Sequence, residues 1–426
     1  MRGVWVLLWC LILGTSGLAH AESFDFDSLR RLVETRRIQT IEDLIAALPD
    51  DLRTHYALVF SSRSLQGASF DAPRVILFGS DARLIVTFNG DASERGNSAI
   101  ETAEFDPINS RFVFRELTFS GDSGSARATV SAPNPARCIA CHGLPARPIW
   151  DVPPLWPGAY GEHYHAGLSS AEVSGIREFL RSQPTHPRYR YLVGAAAFAD
   201  RETYAPSSRA TYNGLSAEPP NAQLSALLTK QNVQSMVSEL AAQPAFAAHR
   251  YVLLAAAGAG CGSLTDFYPQ SLRSSIGADL SHFAQSSAAA DRLQLRAKGS
   301  RLASGGRASE IAASPVELNE LRFVAEKSLH VSTQRWTLAL ERGTYDFSAP
   351  AGAFTFEQAL FELIARSDEG VRDLGPYRTF DAADAYCRYL LRESRQALEA
   401  WYGARMSASL PASEDLQAPA GQVTSH

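Results

Sequence analysis

The chain has 426 residues, 45% hydrophobic and 20% charged, with five cysteines and a formal net charge of −5. That balance is globular rather than disordered, too poor in cysteine for a disulfide-built scaffold, and too acidic for a protein that tracks nucleic-acid phosphates. One compact core seldom serves a chain this long, so two or three lobes are expected.

The N-terminus reads as an export signal. Arg2 supplies a small basic region, Val4 to Leu13 is an apolar run too short to span a bilayer, and Ala19-His20-Ala21 offers a small-residue cleavage site. Residues 1–21 are therefore expected to leave, Cys10 with them, since Trp9 occupies the place where a lipid-anchor motif wants a small residue. Arg2 is the only charged residue removed, which moves the net charge from −5 to −6. No later stretch approaches about 18 uninterrupted apolar residues, so the expected location is the periplasm or the exterior.

Residues 22–130 are expected to form an α+β domain. From 23 to 60 the pattern is helical, with Leu29, Leu32 and Val33 at helical spacing, a Thr40/Asp43 capping pair, and Pro49 as a stop or restart. The period then changes to that of strands. Val75–Phe78 and Leu84–Phe88 flank a Gly79-Ser80-Asp81 turn, and Glu104-Phe105 and Phe112–Phe119 flank Asp106-Pro107-Ile108-Asn109, which predicts two antiparallel hairpins.

The most specific signal follows a polar, proline-containing loop at Ser131–Pro135. Cys138-Ile139-Ala140-Cys141-His142 sets two thiols where they can reach one edge of a porphyrin, with a histidine placed beneath its iron. A chain of this composition would contain that pattern by chance roughly 0.001 times. A local disulfide or half of a zinc site are the alternatives, although no second Cys-x-x-Cys or His-x-x-x-His pair accompanies it.

The motif together with the export signal resembles c-type cytochromes. The resemblance covers these five residues and carries over only Cys138, Cys141 and His142. It implies covalently held haem c, with iron ligated by His142, electron transfer, and a redox partner protein. The sheet expected ahead of the motif departs from the small all-helical cytochrome c domain.

The haem c-binding segment is expected to run over 131–200. Between Gly143 and Gly161 prolines, glycines, Trp150 and Trp156 preclude a regular helix and predict a rigid wrapped loop. Arg147 could pair with a haem propionate, and the two tryptophans could shield the porphyrin or simply anchor the loop in a core. Ser169 with Glu172 opens a helix to about Ser182. Residues 201–406 read as a mainly helical domain, with Leu224, Leu227, Leu228, Val233, Val237 and Leu240 on one stripe and Leu318, Leu321, Phe323 and Val324 on another. The stretch 284–314, rich in Ala, Ser and Gly, is expected to be mobile, and 407–426 to be a disordered tail.

Function turns on the sixth iron position. After signal removal the methionines are Met236, at a core-like helical position, and Met406 beside the tail. His163 and His165 lie close after the rigid loop, and His186 stands between Pro184 and Pro187. Cys261 and Cys387 form either a disulfide or two buried thiols. Three readings result: a monohaem electron carrier, a haem enzyme or small-ligand sensor with an open distal site, and an exported scaffold with structural haem. There is no P-loop, dinucleotide fingerprint, H-E-x-x-H helix or second haem motif, and Gly121-Asp122-Ser123-Gly124-Ser125 lacks nucleophile-elbow spacing.

Overall fold

The computed structural model describes residues 24–62, 64–119, 128–148, 158–161, 168–195, 220–257, 263–299, 316–331, 333, 359–360, 363–364, 366 and 380–407. The signal region lies outside them. The fold is α+β, as expected: an antiparallel sheet with helices comes first, and a largely helical region follows.

Helix α1 (Phe26–Arg36) starts where the Asp25 carboxylate accepts the Ser28 N–H at 2.8 Å, and α2 (Ile41–Ala47) where Thr40 Oγ1 accepts from Asp43 N at 3.1 Å. After α3 (Asp50–Thr54) the chain does not stay helical to residue 60. It becomes strand β1 (Tyr56–Val59), a continuous apolar run buried on both faces. Such a run carries no period, so helix and strand cannot be told apart until a neighbouring strand claims it.

Strands β2 (Arg74–Leu77), β3 (Leu84–Phe88), β4 (Ala99–Asp106), β5 (Arg111–Thr118) and β6 (Thr129–Val130) follow, each antiparallel to its predecessor, in the spatial order β1 to β6. The two expected hairpins are β2–β3 and β4–β5; the short β6 against Leu117 and Thr118 is an addition to the sequence reading.

Alternation along the strands divides the side chains between two layers. On the first face Tyr56, Leu58, Val75, Leu77, Val86, Phe88, Ile100 and Leu117 pack against α1, α2 and α5 (Ser170–Ser182), together with Tyr189 and Leu192. On the second face Ala57, Val59, Ile76, Phe78, Ile85, Phe105, Phe112 and Phe114 meet Ala146, Ala159 and the leucines 224, 227 and 228 of α6 (Pro220–Ala241).

The apolar stripe of α6 is shared between two cores. Its first half covers the sheet, and Val233, Met236, Val237 and Leu240 enter a helical core with α7 (Phe246–Ala257), α8 (Arg273–Gly299), α9 (Val316–Phe323) and α10 (Phe380–Ser407). The stretch expected to be mobile from 284 is helical to Gly299, because Ala-rich sequence is the strongest helix former whatever its lack of large side chains; 301–315 lies outside the described residues. On α10, Cys387 is disulfide-bonded. Cys261 lies outside the description. No helix among the described residues is long and apolar enough to cross a membrane.

Candidate functional site

The approach to the Cys-x-x-Cys-His motif is pinned to the sheet. Asn134, in the left-handed conformation at φ 53, donates its N–H to Phe114 O at 2.7 Å and accepts the Phe114 N–H on its Oδ1 at 2.9 Å. Pro135 then starts helix α4 (Ala136–His142), its carbonyl taking N–H bonds from Cys138 and Ile139 at 2.8 and 3.1 Å. The motif itself is thus helical, and the polar approach at 131–135 is the loop expected before it. Helical geometry places Cys138, Cys141 and His142, at i, i+3 and i+4, on one face.

Neither Cys138 nor Cys141 is in a disulfide, so the local-disulfide alternative is not the arrangement found. Cys138 is half-buried and packs with Ile139 against the second-face core, whereas Cys141 is exposed. No residue of α4 is fully buried, and Leu144, two residues beyond it, is 80% exposed.

His142 is oriented by the loop that follows. Its Nδ1 lies 2.8 Å from the Arg147 carbonyl oxygen, and the Arg147 N–H returns to the His142 carbonyl at 3.1 Å. A carbonyl only accepts, so Nδ1 carries the proton and the ring's lone pair sits on Nε2. Gly143 makes the tight return possible, with φ 79 and ψ −175, a conformation essentially closed to residues with a Cβ. The Phe114 ring stacks on the imidazole with centroids 4.1 Å apart and planes 29° apart.

Arg147, for which the sequence suggested a propionate partner, has a buried guanidinium that forms an ion pair with Glu239 of α6. Burial pushes its pKa down, and Glu239 opposes that shift. The Arg147 Nε has no hydrogen-bond partner among the described residues.

Beneath α4 the sheet carries charge. Glu101 and Glu116 are directly opposite each other on β4 and β5, an unfavourable pairing unless each is neutralised. Arg74 binds Glu101 at 2.8 Å, as well as Gln66 Oε1 at 2.8 Å and Thr87 Oγ1 at 2.9 Å. Arg137, one residue before Cys138, forms an ion pair with the buried Glu116. The Cys138 thiol pKa is raised, first by burial and then by the Glu101 charge, with Arg137 pulling the other way. It is therefore held as the neutral thiol.

The distal candidates separate cleanly. His186 Nε2 faces Gly90 O at 3.1 Å, and its Nδ1 accepts N–H bonds from Arg188 and Tyr189 at 3.2 and 3.1 Å, so both ring nitrogens are committed. It also stacks on Tyr189, which belongs to the first-face core, on the opposite side of the sheet from α4. Met236 is 1% exposed within the helical core. Neither has the freedom of an iron ligand. His163, His165, Trp150 and Trp156 lie outside the described residues, as does the side chain of Met406.

Among the described residues no three His, Cys, Asp or Glu side chains form a metal-ligand set, so a zinc site built on the two cysteines would need ligands from elsewhere. No family model, curated protein or solved structure matches this chain.

Phe114, Glu239 and the Glu101/Glu116 pair are the parts of the site that sequence reasoning missed. Phe114 was legible as a strand residue facing one side. Its partnership with His142 depends on how α4 crosses β5, for which the sequence carries no signal.

Proposed function

We propose that the protein is an exported monohaem c-type cytochrome that transfers electrons to or from a partner protein. One observation carries the reading: Cys138 and Cys141 share a helical face with His142, neither thiol is spent in a disulfide, and Nδ1 of His142 is bound to the Arg147 carbonyl so that Nε2 bears the lone pair. The residues fit the group. Cys141 and Leu144 stand exposed at the surface, where a flat macrocycle would cover them.

Cys138 and Cys141 would hold haem c through thioether bonds, and His142 would ligate the iron. The haem would supply a reversible one-electron couple. The carbonyl of Arg147 holds the imidazole as the Nδ1–H tautomer and increases its basicity, and Phe114 limits rotation of the ring. Half-burial of Cys138 and the packing of Ile139 fix α4 on the sheet, so the ligand's position is set by a core rather than by a loop.

A second reading, a haem enzyme or small-ligand sensor with an open distal position, is favoured by the engagement of His186 and the burial of Met236. Both readings are tested on protein purified from cells competent in cytochrome c maturation. Haem that stays with the polypeptide on denaturation is expected, and is expected to be lost in the Cys138→Ala/Cys141→Ala double variant. Replacement of His142 by Ala should abolish the normal reduced spectrum. If the wild type carries no covalent haem, the proposal is wrong. With haem present, a reduced spectrum unmoved by carbon monoxide supports electron transfer, and a prompt shift supports the open-site reading.

A further inference from the structure

Arg147 serves the site through two different parts of one residue. Its carbonyl accepts the His142 Nδ1–H at 2.8 Å, while its side chain, 5% exposed, is held by Glu239, 92 residues further along the chain. A buried guanidinium that loses its carboxylate does not stay where it was, because an uncompensated charge away from water is strongly unfavourable. With Nε lacking a partner among the described residues, Glu239 is the anion among them that holds Arg147 in place. The backbone of a residue held by a rigid planar fork is held with it.

We infer that Glu239 is a positioning residue for His142: by fixing Arg147 it fixes the carbonyl that keeps the imidazole proton on Nδ1 and the lone pair on Nε2. The tautomer argument stands on the protein alone, and only its consequence for iron rests on the haem reading. Two other contacts restrain the same ring and loop, the Phe114 stack and the Arg147 N–H bond to the His142 carbonyl. Loss of Glu239 therefore loosens the arrangement without dissolving it. The geometry also gives the helical region a route to the site, since α6 is packed in the helical core through Met236, Val237 and Leu240 on either side of Glu239. A shift of α6 along its axis would reach His142 through two residues.

The test uses the full-length protein with Glu239→Ala, the milder Glu239→Gln, and Gln231→Ala as a control. Gln231 also ties α6 to the sheet region, through Asp81 O at 3.0 Å, but its bond runs to a different residue from Arg147. Ring nitrogen-15 NMR of His142 in haem-free protein reads the tautomer directly. The Nδ1–H form should dominate in the wild type, and Glu239→Ala should raise the fraction of the other tautomer about fivefold, the ratio that one ordinary hydrogen bond is worth. Glu239→Gln, which keeps a hydrogen-bond acceptor, should fall between, and Gln231→Ala should match the wild type. Where ferrous haem is five-coordinate, as the open-site reading has it, its iron–histidine stretching band should move to lower frequency in Glu239→Ala and stay in place in the control. An unchanged tautomer ratio in folded Glu239→Ala and Glu239→Gln would overturn the inference, as would an equal change in Gln231→Ala. Absence of haem from the wild type would sink the functional reading while leaving the tautomer result to decide this one.

Discussion

The two faces of the sheet use the same strands for different ends. On the first face aromatic and aliphatic side chains meet α1, α2 and α5 in one core, and a capping box of Ser169 and Glu172 opens α5. On the second face the strands carry Arg74, Thr87, Glu101 and Glu116 among their phenylalanines, and the helix resting there has no fully buried residue. Burial of apolar surface dominates the first face, where the buried Arg188, paired with Glu42, sits beside the Tyr189 end of the core. Charge beneath a thiol-bearing helix is not needed for a core, since buried ion pairs seldom add stability over apolar packing. The contrast separates a face that makes the fold from a face that the fold supports.

The comparison can be broken most severely at its structural side. Phe179, fully buried and set at 5.1 Å from Tyr189, should cost about 3–5 kcal/mol when replaced by Ala, while the spectrum of the protein that remains folded stays that of the wild type. Denaturant unfolding alongside visible absorption of the proposed haem-loaded form checks both; a changed spectrum in the folded fraction would mean that the two faces are not independent.

On the second face Arg74→Ala should cost about 3–5 kcal/mol, because it leaves Glu101 without its cation, and adding Glu101→Leu should recover much of that loss. A double-mutant cycle measures the recovery. If the double variant is no better than Arg74→Ala, the network holds the fold and the proposed division between the faces is wrong.

A smaller effect sharpens the comparison through pH. Burial depresses the His186 pKa below 6.5, an effect the Gly90 carbonyl opposes and Arg188 reinforces. The unfolded chain therefore binds a proton that the folded protein refuses, so stability falls as pH drops from about 6.5 toward the folded value and is unaffected by this group above that window. His186→Gln should be less stable than the wild type near neutrality, with the gap narrowing as the pH falls. A gap that widens on acidification would contradict the direction of the shift.

Much of the fold was legible because it is written in local chemistry. Thr40, Ser169 with Glu172, and the turn residues between β2 and β3 act on neighbours a few positions away. Where local chemistry was silent the reading failed. Tyr56–Val59 has no period, and the Ala- and Ser-rich start of the supposed mobile stretch lacks large side chains but not helix propensity. The polar approach at 131–135 is the loop its composition suggested, and α4 begins directly after it.

The sequence by itself carries the Cys138, Cys141 and His142 spacing on which the proposed haem site rests, because such spacing is a property of the covalent chain and needs no tertiary context. It also determined the α+β class, through periods of two and of 3.6 in different parts of the chain. Only the tertiary structure decided what surrounds that set. The Arg147 carbonyl and Phe114 orient the imidazole, Glu239 draws Arg147 inward, and His186 is turned to the far side of the sheet. Those outcomes depend on which distant elements share a face. Such packing is chosen by the burial of the whole apolar surface, to which no single residue's neighbours in sequence are a guide.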